Sequence, residues 1–222
     1  MRLSLLNKQY EMFRCAIDKT YFQKYKEHNE FDWVNFDYFR KLHYSKRTIR
    51  FNHVFPQTKK EIENWDLLVN DFCEKNIYRG QRLEKDIRSF LKFLAEKHGD
   101  GSFVFQLARH EFNIYKVAAG NENGVLDQFN YPITEVKDQH NSKSEKYDYL
   151  YLKEKKNVRV FKIQHFVSKW VKIYKAVQCV EKSWELIHKH LNTDEKEQLN
   201  SAIKSFKNLS LLDIWKREHA SD

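Results

Sequence analysis

The sequence predicts an α+β protein that is predominantly α-helical, with an N-terminal helical bundle followed by a small C-terminal domain holding a short β-sheet and helices. Glycine and proline punctuate turns, and the 222 residues contain 5 Gly and 2 Pro, which favours long helices over an all-β sandwich. Apolar residues recur three or four positions apart through most of the first half of the chain, as in amphipathic helices. Between residues 147 and 166 the spacing changes to alternation, which is typical of strands.

The N-terminal half contains five segments with helical spacing of apolar residues. The most regular is Leu83–His98, where Ile87 and Phe90 share one face and Gly99 follows at the position that a helix C-cap favours. Pro56 marks a break between two of the segments. We therefore predict a helical bundle over residues 1–124, built from Leu3–Tyr25, Phe36–Phe51, Glu61–Glu74, Leu83–His98 and Phe103–Ala119.

The C-terminal domain is predicted to span residues 125–222. Residues 125–146 contain a proline and a run of polar residues, so we expect a loop and a hinge there. Tyr147–Lys153 and Val158–Phe166 are rich in β-branched and aromatic residues and form a predicted hairpin. The segment 167–177 fits either a third strand or a helix. Further helical segments are predicted at Cys179–Leu191, at Asp194–Phe206 with Thr193 as N-cap, and at Leu209–Trp215.

The composition is basic, with 40 Lys and Arg against 31 Asp and Glu and a formal net charge of +9. A positive surplus suits an acidic partner, such as nucleic acid, membrane headgroups or an acidic peptide. A solvated lysine surface explains the same surplus, and the spread of lysines along the chain favours that explanation. No apolar run approaches the roughly 20 residues that a membrane-spanning helix needs, and no signal peptide is evident, so we expect a cytoplasmic protein without a membrane partner.

The sequence contains none of the common catalytic motifs: no phosphate-binding glycine loop, no nucleophile elbow and no zinc-protease helix. Cys15, Cys73 and Cys179 are widely spaced, which argues against a disulfide framework or a zinc knuckle. Each of the three lies in an apolar helical context, so buried and unreactive thiols are expected.

The histidines do not form a compact metal-binding set. His188 and His190 are two apart and point to different faces of a helix. A metal site would need His140 or His165 from separate elements, and ordinary surface histidines explain the pattern better. We therefore assign no metal and no cofactor to this chain.

Arg109, His110 and Glu111 include an acid and a base by residue type. Consecutive residues diverge around a helix, so these three do not form one site unaided. Pairing of Arg109 and Glu111 with other helices of the bundle is the interpretation that the spacing favours. No catalytic residue is assigned.

Four stretches of the chain occur in the order found in a known family. They are Tyr44-Ser45-Lys46-Arg47-Thr48-Ile49-Arg50, Phe55-Pro56, Leu83 with Phe90-Leu91, and Leu107-Ala108-Arg109-His110-Glu111-Phe112. Over residues 30–120 the chain resembles the HvfC/BufC-type DNA-binding domain family, and within it the branch that acts in methanobactin biosynthesis.

The resemblance implies a partner subunit whose iron chemistry belongs to another protein. Such subunits form heterodimers with a TIM-barrel, multi-iron oxidase, and together the two modify cysteines of a ribosomally made precursor peptide. The products are the oxazolone and thioamide groups of a copper chelator. The subunit supplies an obligate interface, to which we assign Arg109, Glu111 and Phe112, and helps to hold the leader peptide of the precursor.

The predicted hairpin is the candidate site for that leader peptide. Alternation places Tyr149 and Tyr151 on one sheet face, which is either core or an aromatic docking surface. A short sheet leaves at least one edge free to accept an added strand, unless residues 125–146 cover it. We predict that the peptide-binding residues are Tyr149, Tyr151, Lys153, Arg159, Val160 and Lys162, with the basic side chains suited to an acidic leader.

Two other functions fit the same sequence. A nucleic-acid-binding regulator would use the basic charge, but Lys and Arg do not cluster on one helix stripe as in a recognition helix. An enzyme acting alone would need a catalytic set that the motif search does not find.

Overall fold

The computed structural model describes residues 2–26, 33–76, 83–122, 124–134, 146–154 and 157–218. The fold is α+β and predominantly α, as predicted, with one small antiparallel sheet among the helices. The chain divides into two compact units, Met1–Phe112 and Asn113–Asp222. This division lies inside the last helix of the first unit, whereas the sequence placed the boundary between residues 124 and 125.

Helices form all the regular structure described in the first unit. The predicted helix over Leu3–Tyr25 is interrupted at Asp18, whose Oδ1 accepts a hydrogen bond from the Tyr21 backbone N–H at 2.9 Å and so caps a second helix. Extended backbone at Ile62 likewise separates a short helix from the predicted one after it. The helices are α1 Arg2–Ile17, α2 Lys19–Lys26, α3 Trp33–Val54, α4 Thr58–Glu61, α5 Trp65–Lys75, α6 Leu83–His98 and α7 Phe103–Ala119, and the predicted bounds of α6 and α7 are confirmed.

An aromatic cluster forms the core between α3, α5 and α6. Phe51 and Phe90 stack with ring centroids 4.6 Å apart, and Phe72 meets Phe90 edge-on at 5.0 Å. Each fully buried aromatic ring contributes about 1.5–3 kcal/mol by leaving water, and pairs in these geometries add to that. Phe55, Trp65 and Phe93 extend the cluster.

A buried ion pair lies beside that cluster and ties α3 to α6. Arg47 and Asp86 are each 1% exposed, and the guanidinium donates to both carboxylate oxygens at 2.6 and 3.0 Å. A third donor bonds the Asn76 carbonyl at 2.9 Å. Because every charge here meets an opposite charge or a carbonyl, the pair holds two core helices in register.

After the end of α7, the second unit contains a three-stranded antiparallel sheet in the order β1-β2-β3, formed by β1 Gly124–Phe129, β2 Tyr147–Glu154 and β3 Asn157–Ile163. The predicted hairpin is β2 and β3, but the second predicted strand, Val158–Phe166, is too long: β3 ends at Ile163, and His165 and Phe166 begin the following helix. The prediction of a loop over residues 125–146 is wrong at its start, because residues 124–129 pair with β2 along their whole length. Asp127 and Gln128 interrupt the apolar alternation of β1, so tertiary pairing forms this strand where local pattern did not indicate one.

Helices cover one face of this sheet. The ambiguous segment 167–177 belongs to a helix, and the helices and turn are α8 His165–Val177, α9 Val180–Ile187, a 3₁₀ turn at His188–His190, α10 Thr193–Asn208 and α11 Leu211–Glu218. Thr193 is not the N-cap of α10. Asn192 takes that place, because its side chain accepts from the Glu195 N–H at 2.9 Å while the Glu195 carboxylate accepts from the Asn192 N–H at 3.0 Å, a capping box.

The core of the second unit lies between the sheet and these helices. Leu150 and Leu152 of β2 pack among residues of α8, α10 and α11. Trp170 and Tyr174 stack at 5.3 Å, and the Tyr174 hydroxyl donates to the Leu212 carbonyl at 3.2 Å. Across the described ranges, no helix combines the length and apolarity needed to cross a bilayer.

Candidate functional site

The outer edge of β3 is the more open edge of the sheet. Within the part of the chain that the structure describes, β3 pairs with β2 alone, so its outer side has no strand partner. The start of β1 is covered, since the Lys175 Nζ donates to the Gly124 carbonyl at 3.2 Å. A Cβ at Gly124 would lie 2.9 Å from the Trp215 ring nitrogen, so this edge position needs glycine.

The predicted peptide-binding tyrosines belong to the core. Tyr149 and Tyr151 are 0% exposed, so neither side chain can select residues of a peptide at the surface. The Tyr149 ring meets Phe129 edge-on at 5.7 Å, and its hydroxyl lies 3.4 Å from the Thr134 hydroxyl. The alternation correctly placed both tyrosines on one face, but that face is buried.

The other four predicted peptide residues lie on the hairpin with their side chains at or near the surface. Arg159 and Lys162 are exposed on β3, where Arg159 forms an ion pair with Glu154 and the Lys162 Nζ lies 4.8 Å from the centre of the Tyr147 ring. Val160 is half-buried. Lys153 is exposed on β2, and its Nζ donates to the Ala118 carbonyl at 3.3 Å.

Two of the three predicted interface residues are interior. Glu111 is 6% exposed, and its carboxylate accepts from the Gln57 and Thr58 backbone N–H groups at 2.7 and 3.0 Å and from the Thr58 hydroxyl at 2.6 Å. Phe112 is 3% exposed. Glu111 therefore caps the start of α4. Of the three, Arg109 alone is half-buried and reaches the surface.

An apolar stripe on α3 is the surface that sequence reasoning overlooked in the first unit. Residues four or seven positions apart share one side of a helix. The stripe consists of Val34, Tyr38, Leu42 and Ile49, which are 82%, 69%, 41% and 63% exposed. Exposed apolar groups that line up in this way are typical of a protein-binding surface.

A buried carboxylate lies where β2 meets α8. The Asp148 side chain is 1% exposed and accepts from the Ser168 hydroxyl at 2.9 Å and from the Gln128 side-chain amide at 3.2 Å. Its Oδ2 also lies 2.8 Å from the His165 Nδ1, and the His165 side chain is 54% exposed. Asp148 therefore fixes the imidazole ring with Nδ1 inward, which leaves Nε2 for another partner. Ser168 bonds the carboxylate rather than the imidazole, so the three residues do not form a nucleophilic triad.

His165 also lines a groove of about 610 Å³ between α8, the end of α9 and the start of α10. Five lining residues are apolar: Phe166, Ile173, Leu186, Ile187 and Leu191. Four are basic or can become so: His165, Lys169, Lys172 and His190. Of the residues that line it, Glu195 alone is acidic, and its carboxylate is engaged in the capping box.

The sequence contains a pattern that could have indicated the groove residues, but it becomes visible only when the segment 167–177 is assigned as a helix and not as a strand. Once this segment is a helix, His165, Lys169 and Lys172 fall three or four apart and share one face. The partnership of His165 with Asp148 spans 17 residues and two kinds of element, which local periodicity cannot reveal.

Among the residues that are described, no group of three or more His, Cys, Asp or Glu side chains is arranged to hold a metal ion. Comparison of the chain with models of known protein families, with curated proteins and with solved structures finds no match.

Proposed function

We propose that this chain is a non-catalytic binding subunit that holds an extended acidic peptide along the outer edge of β3. The observation that carries the proposal is the edge position of Asn157–Ile163, with Arg159 and Lys162 exposed on it. An edge strand offers backbone N–H and C=O groups to an incoming strand, which gives affinity that tolerates many sequences.

Charge favours an acidic occupant over a basic one. The Arg159–Glu154 ion pair is exposed on both sides, and such pairs contribute at most about 1 kcal/mol, so a peptide carboxylate can replace Glu154. With the tyrosines buried, selection of peptide side chains falls to Val160 and its neighbours on β3.

The first unit supplies the surface for a larger partner. The exposed apolar stripe on α3 suits a protein interface, whose centre is apolar and rich in aromatic side chains. On the resemblance of residues 30–120, we propose a multi-iron TIM-barrel oxidase as that partner, in a cytoplasmic heterodimer of the type formed by the methanobactin biosynthesis protein MbnC. The partner would hold the iron and modify the cysteines of a precursor peptide, and this chain would hold the leader of that peptide.

The peptide proposal is tested with a fluorescein-labelled peptide of about twelve alternating Val and Glu residues, which favours an extended backbone and carries negative charge. Anisotropy should show binding that weakens as salt rises, since part of the affinity is electrostatic. The double variant Arg159→Glu/Lys162→Glu should bind at least about tenfold more weakly. Lys182→Glu/Lys204→Glu is the matched control, since both lysines are exposed and lie on other elements.

A Val-Lys peptide of the same length that binds equally well would contradict the charge argument. Equal binding by the charge-reversed variant would place the peptide elsewhere. Tighter binding of a DNA duplex than of the acidic peptide would favour the nucleic-acid function instead.

The partner proposal is tested by co-expression with a TIM-barrel multi-iron oxidase, followed by size-exclusion chromatography. The two proteins should elute together, and Tyr38→Glu/Ile49→Glu should separate them because it places two charges within the α3 stripe. Leu67→Glu is the control, since Leu67 is 68% exposed on a different helix. Two independent monomers from the unaltered proteins would contradict the proposal.

A further inference from the structure

The groove beside α8 combines two features that the β3 edge does not use. It has an apolar wall contributed by α8, α9 and Leu191 in the loop before α10, and it has cationic side chains along α8. Its volume of about 610 Å³ lies within the range of roughly 300–1,000 Å³ that small-molecule sites occupy.

The positive side of the groove is built on one helix face. Lys169 and Lys172 are exposed on α8 one and two turns after His165, so the three side chains lie on the same face of the helix and line one side of the groove. The Glu195 carboxylate, on the other side of the groove, is held in the capping box of α10, where it accepts the Asn192 N–H at 3.0 Å. An anionic group would meet the ammonium donors of Lys169 and Lys172 there.

His165 differs from an ordinary surface histidine because its ring is anchored. The hydrogen bond of 2.8 Å to the buried carboxylate of Asp148 fixes the ring orientation. The Ser168 hydroxyl and the Gln128 amide hold that carboxylate in turn. The imidazole ring is therefore positioned before any ligand arrives, and a contact with a group that is already ordered has a smaller entropic cost.

The apolar wall excludes a simple inorganic anion as the best occupant. Phe166, Ile173 and Leu191 are half-buried, and Leu186 is 57% exposed, so an apolar body would cover surface that is now in water. Each methylene buried contributes about 0.8 kcal/mol. The occupant that satisfies both sides carries a single negative group on an apolar chain.

We propose that this groove binds a free single-chain anionic amphiphile of the medium-chain fatty-acid type. Its carboxylate lies among His165, Lys169 and Lys172, and its chain lies against Phe166, Ile173 and Leu186. The site is separate from the peptide edge, so it stands whether or not a peptide binds to β3.

The test is isothermal titration of the full-length protein with decanoate at concentrations below micelle formation. Decanoate should bind, whereas decanol and acetate, which lack either the charge or the chain, should bind at least about tenfold more weakly. Chemical-shift changes in a labelled sample should centre on α8 and the end of α9. Decyltrimethylammonium, which carries the opposite charge on the same chain, should not compete.

Variants then assign the site. Lys169→Glu/Lys172→Glu should weaken decanoate binding at least about tenfold, and Lys182→Glu/Lys204→Glu should change it less than about twofold. Leu186→Ser removes part of the wall at a position that is already 57% exposed, so it weakens binding without a folding defect. The groove variants should leave binding of the Val-Glu peptide unchanged.

Several results would overturn the proposal. Decanol binding as tightly as decanoate would show an apolar patch without an anion site. Equal binding by the Lys169→Glu/Lys172→Glu protein would place the anion elsewhere. Capture by phosphatidylglycerol vesicles without any binding of monomeric decanoate would assign the cationic face to a lipid surface instead, and displacement by an acidic helical peptide alone would assign the groove to a protein.

Discussion

The two units each bury an acidic side chain but satisfy it in different ways. In the first unit, Asp86 meets the guanidinium of Arg47, and both side chains are 1% exposed. In the second unit, Asp148 is equally buried, yet its donors are a hydroxyl, an amide and an imidazole that is 54% exposed. In the first arrangement both charged side chains are buried in the core, whereas in the second the buried carboxylate bonds a histidine that is exposed in the groove.

This difference separates residues that hold the fold from residues available for binding. Arg47 and Glu111 both lie in the stretches that carry the family resemblance, and both make buried contacts within the first unit. His165 lies outside those stretches and ends at the surface. A functional role is therefore expected where a buried charge supports an exposed side chain.

The largest expected effect on stability comes from breaking the buried ion pair between Arg47 and Asp86. Arg47→Met leaves the Asp86 carboxylate buried without its partner, which should lower the free energy of unfolding by about 3–5 kcal/mol. Urea denaturation of the full chain measures the loss. Arg47→Met/Asp86→Leu should recover most of it, because replacing both charges with apolar groups removes the desolvation cost.

A loss below about 1 kcal/mol in Arg47→Met would show that Asp86 finds water or another donor. The contrast between the two carboxylates would then no longer hold.

Asp148→Asn should have a smaller effect. The amide keeps one acceptor oxygen but replaces the other with an NH2 group, which is a donor and faces the donors of Ser168, Gln128 and His165. At least one of these groups then loses its acceptor, so the free energy of unfolding should fall by about 1–3 kcal/mol. The His165 ring should also lose its fixed orientation, seen as averaging of its side-chain NMR signals. Asp100→Asn, at an exposed position in a turn, is the control. An unchanged His165 spectrum would show that Asp148 does not position the ring.

Two neighbouring substitutions at the N-terminus of α10 should have smaller effects on stability. Asn192→Ala removes the side-chain acceptor of the capping box and should cost about 1 kcal/mol in thermal denaturation. Thr193→Ala, at the first helical position, should cost only a few tenths of a kcal/mol. The reverse order would restore Thr193 as the cap.

Cysteine reactivity compares the two units with almost no effect on stability. Burial raises the pKa of the Cys73 thiol to about 11, whereas Cys179 is partly exposed. Iodoacetamide at pH 8 should therefore modify Cys179 first, and mass spectrometry of digested protein identifies the order. Because the folded pKa of Cys73 lies above its ordinary value of 9.0, its stabilising contribution is complete below pH 9.0 and is lost as pH rises toward 11. Faster labelling of Cys73 would indicate local opening of α5.

The sequence pattern predicted the elements whose apolar residues recur at regular helical or strand spacing. It missed the elements that form only because a distant segment pairs with them. α6 and α7 have apolar residues at helical spacing and end at glycines, so local chemistry settles their bounds. β1 carries Asp127 in its centre and exists because β2 pairs with it. α8 was ambiguous because its β-branched and aromatic residues suit both states.

For the candidate site, the sequence predicted the position of the edge strand, but it did not predict which side chains of the hairpin are exposed. The hairpin pattern located the edge strand β3, since alternation is a local signal. Whether the face of Tyr149 and Tyr151 is core or surface depends on what packs against it, which periodicity does not encode. The Asp148–His165 contact is a tertiary pairing and has no local signature.

The most direct test of the central claim is hydrogen–deuterium exchange of the full-length protein with and without the Val-Glu peptide. Backbone pairing with an added strand should slow exchange in residues 157–163 more than anywhere else, because the outer N–H groups of β3 gain partners. Exchange in α3 and α6 should not change. Protection confined to residues 1–112, or none along β3, would contradict the account.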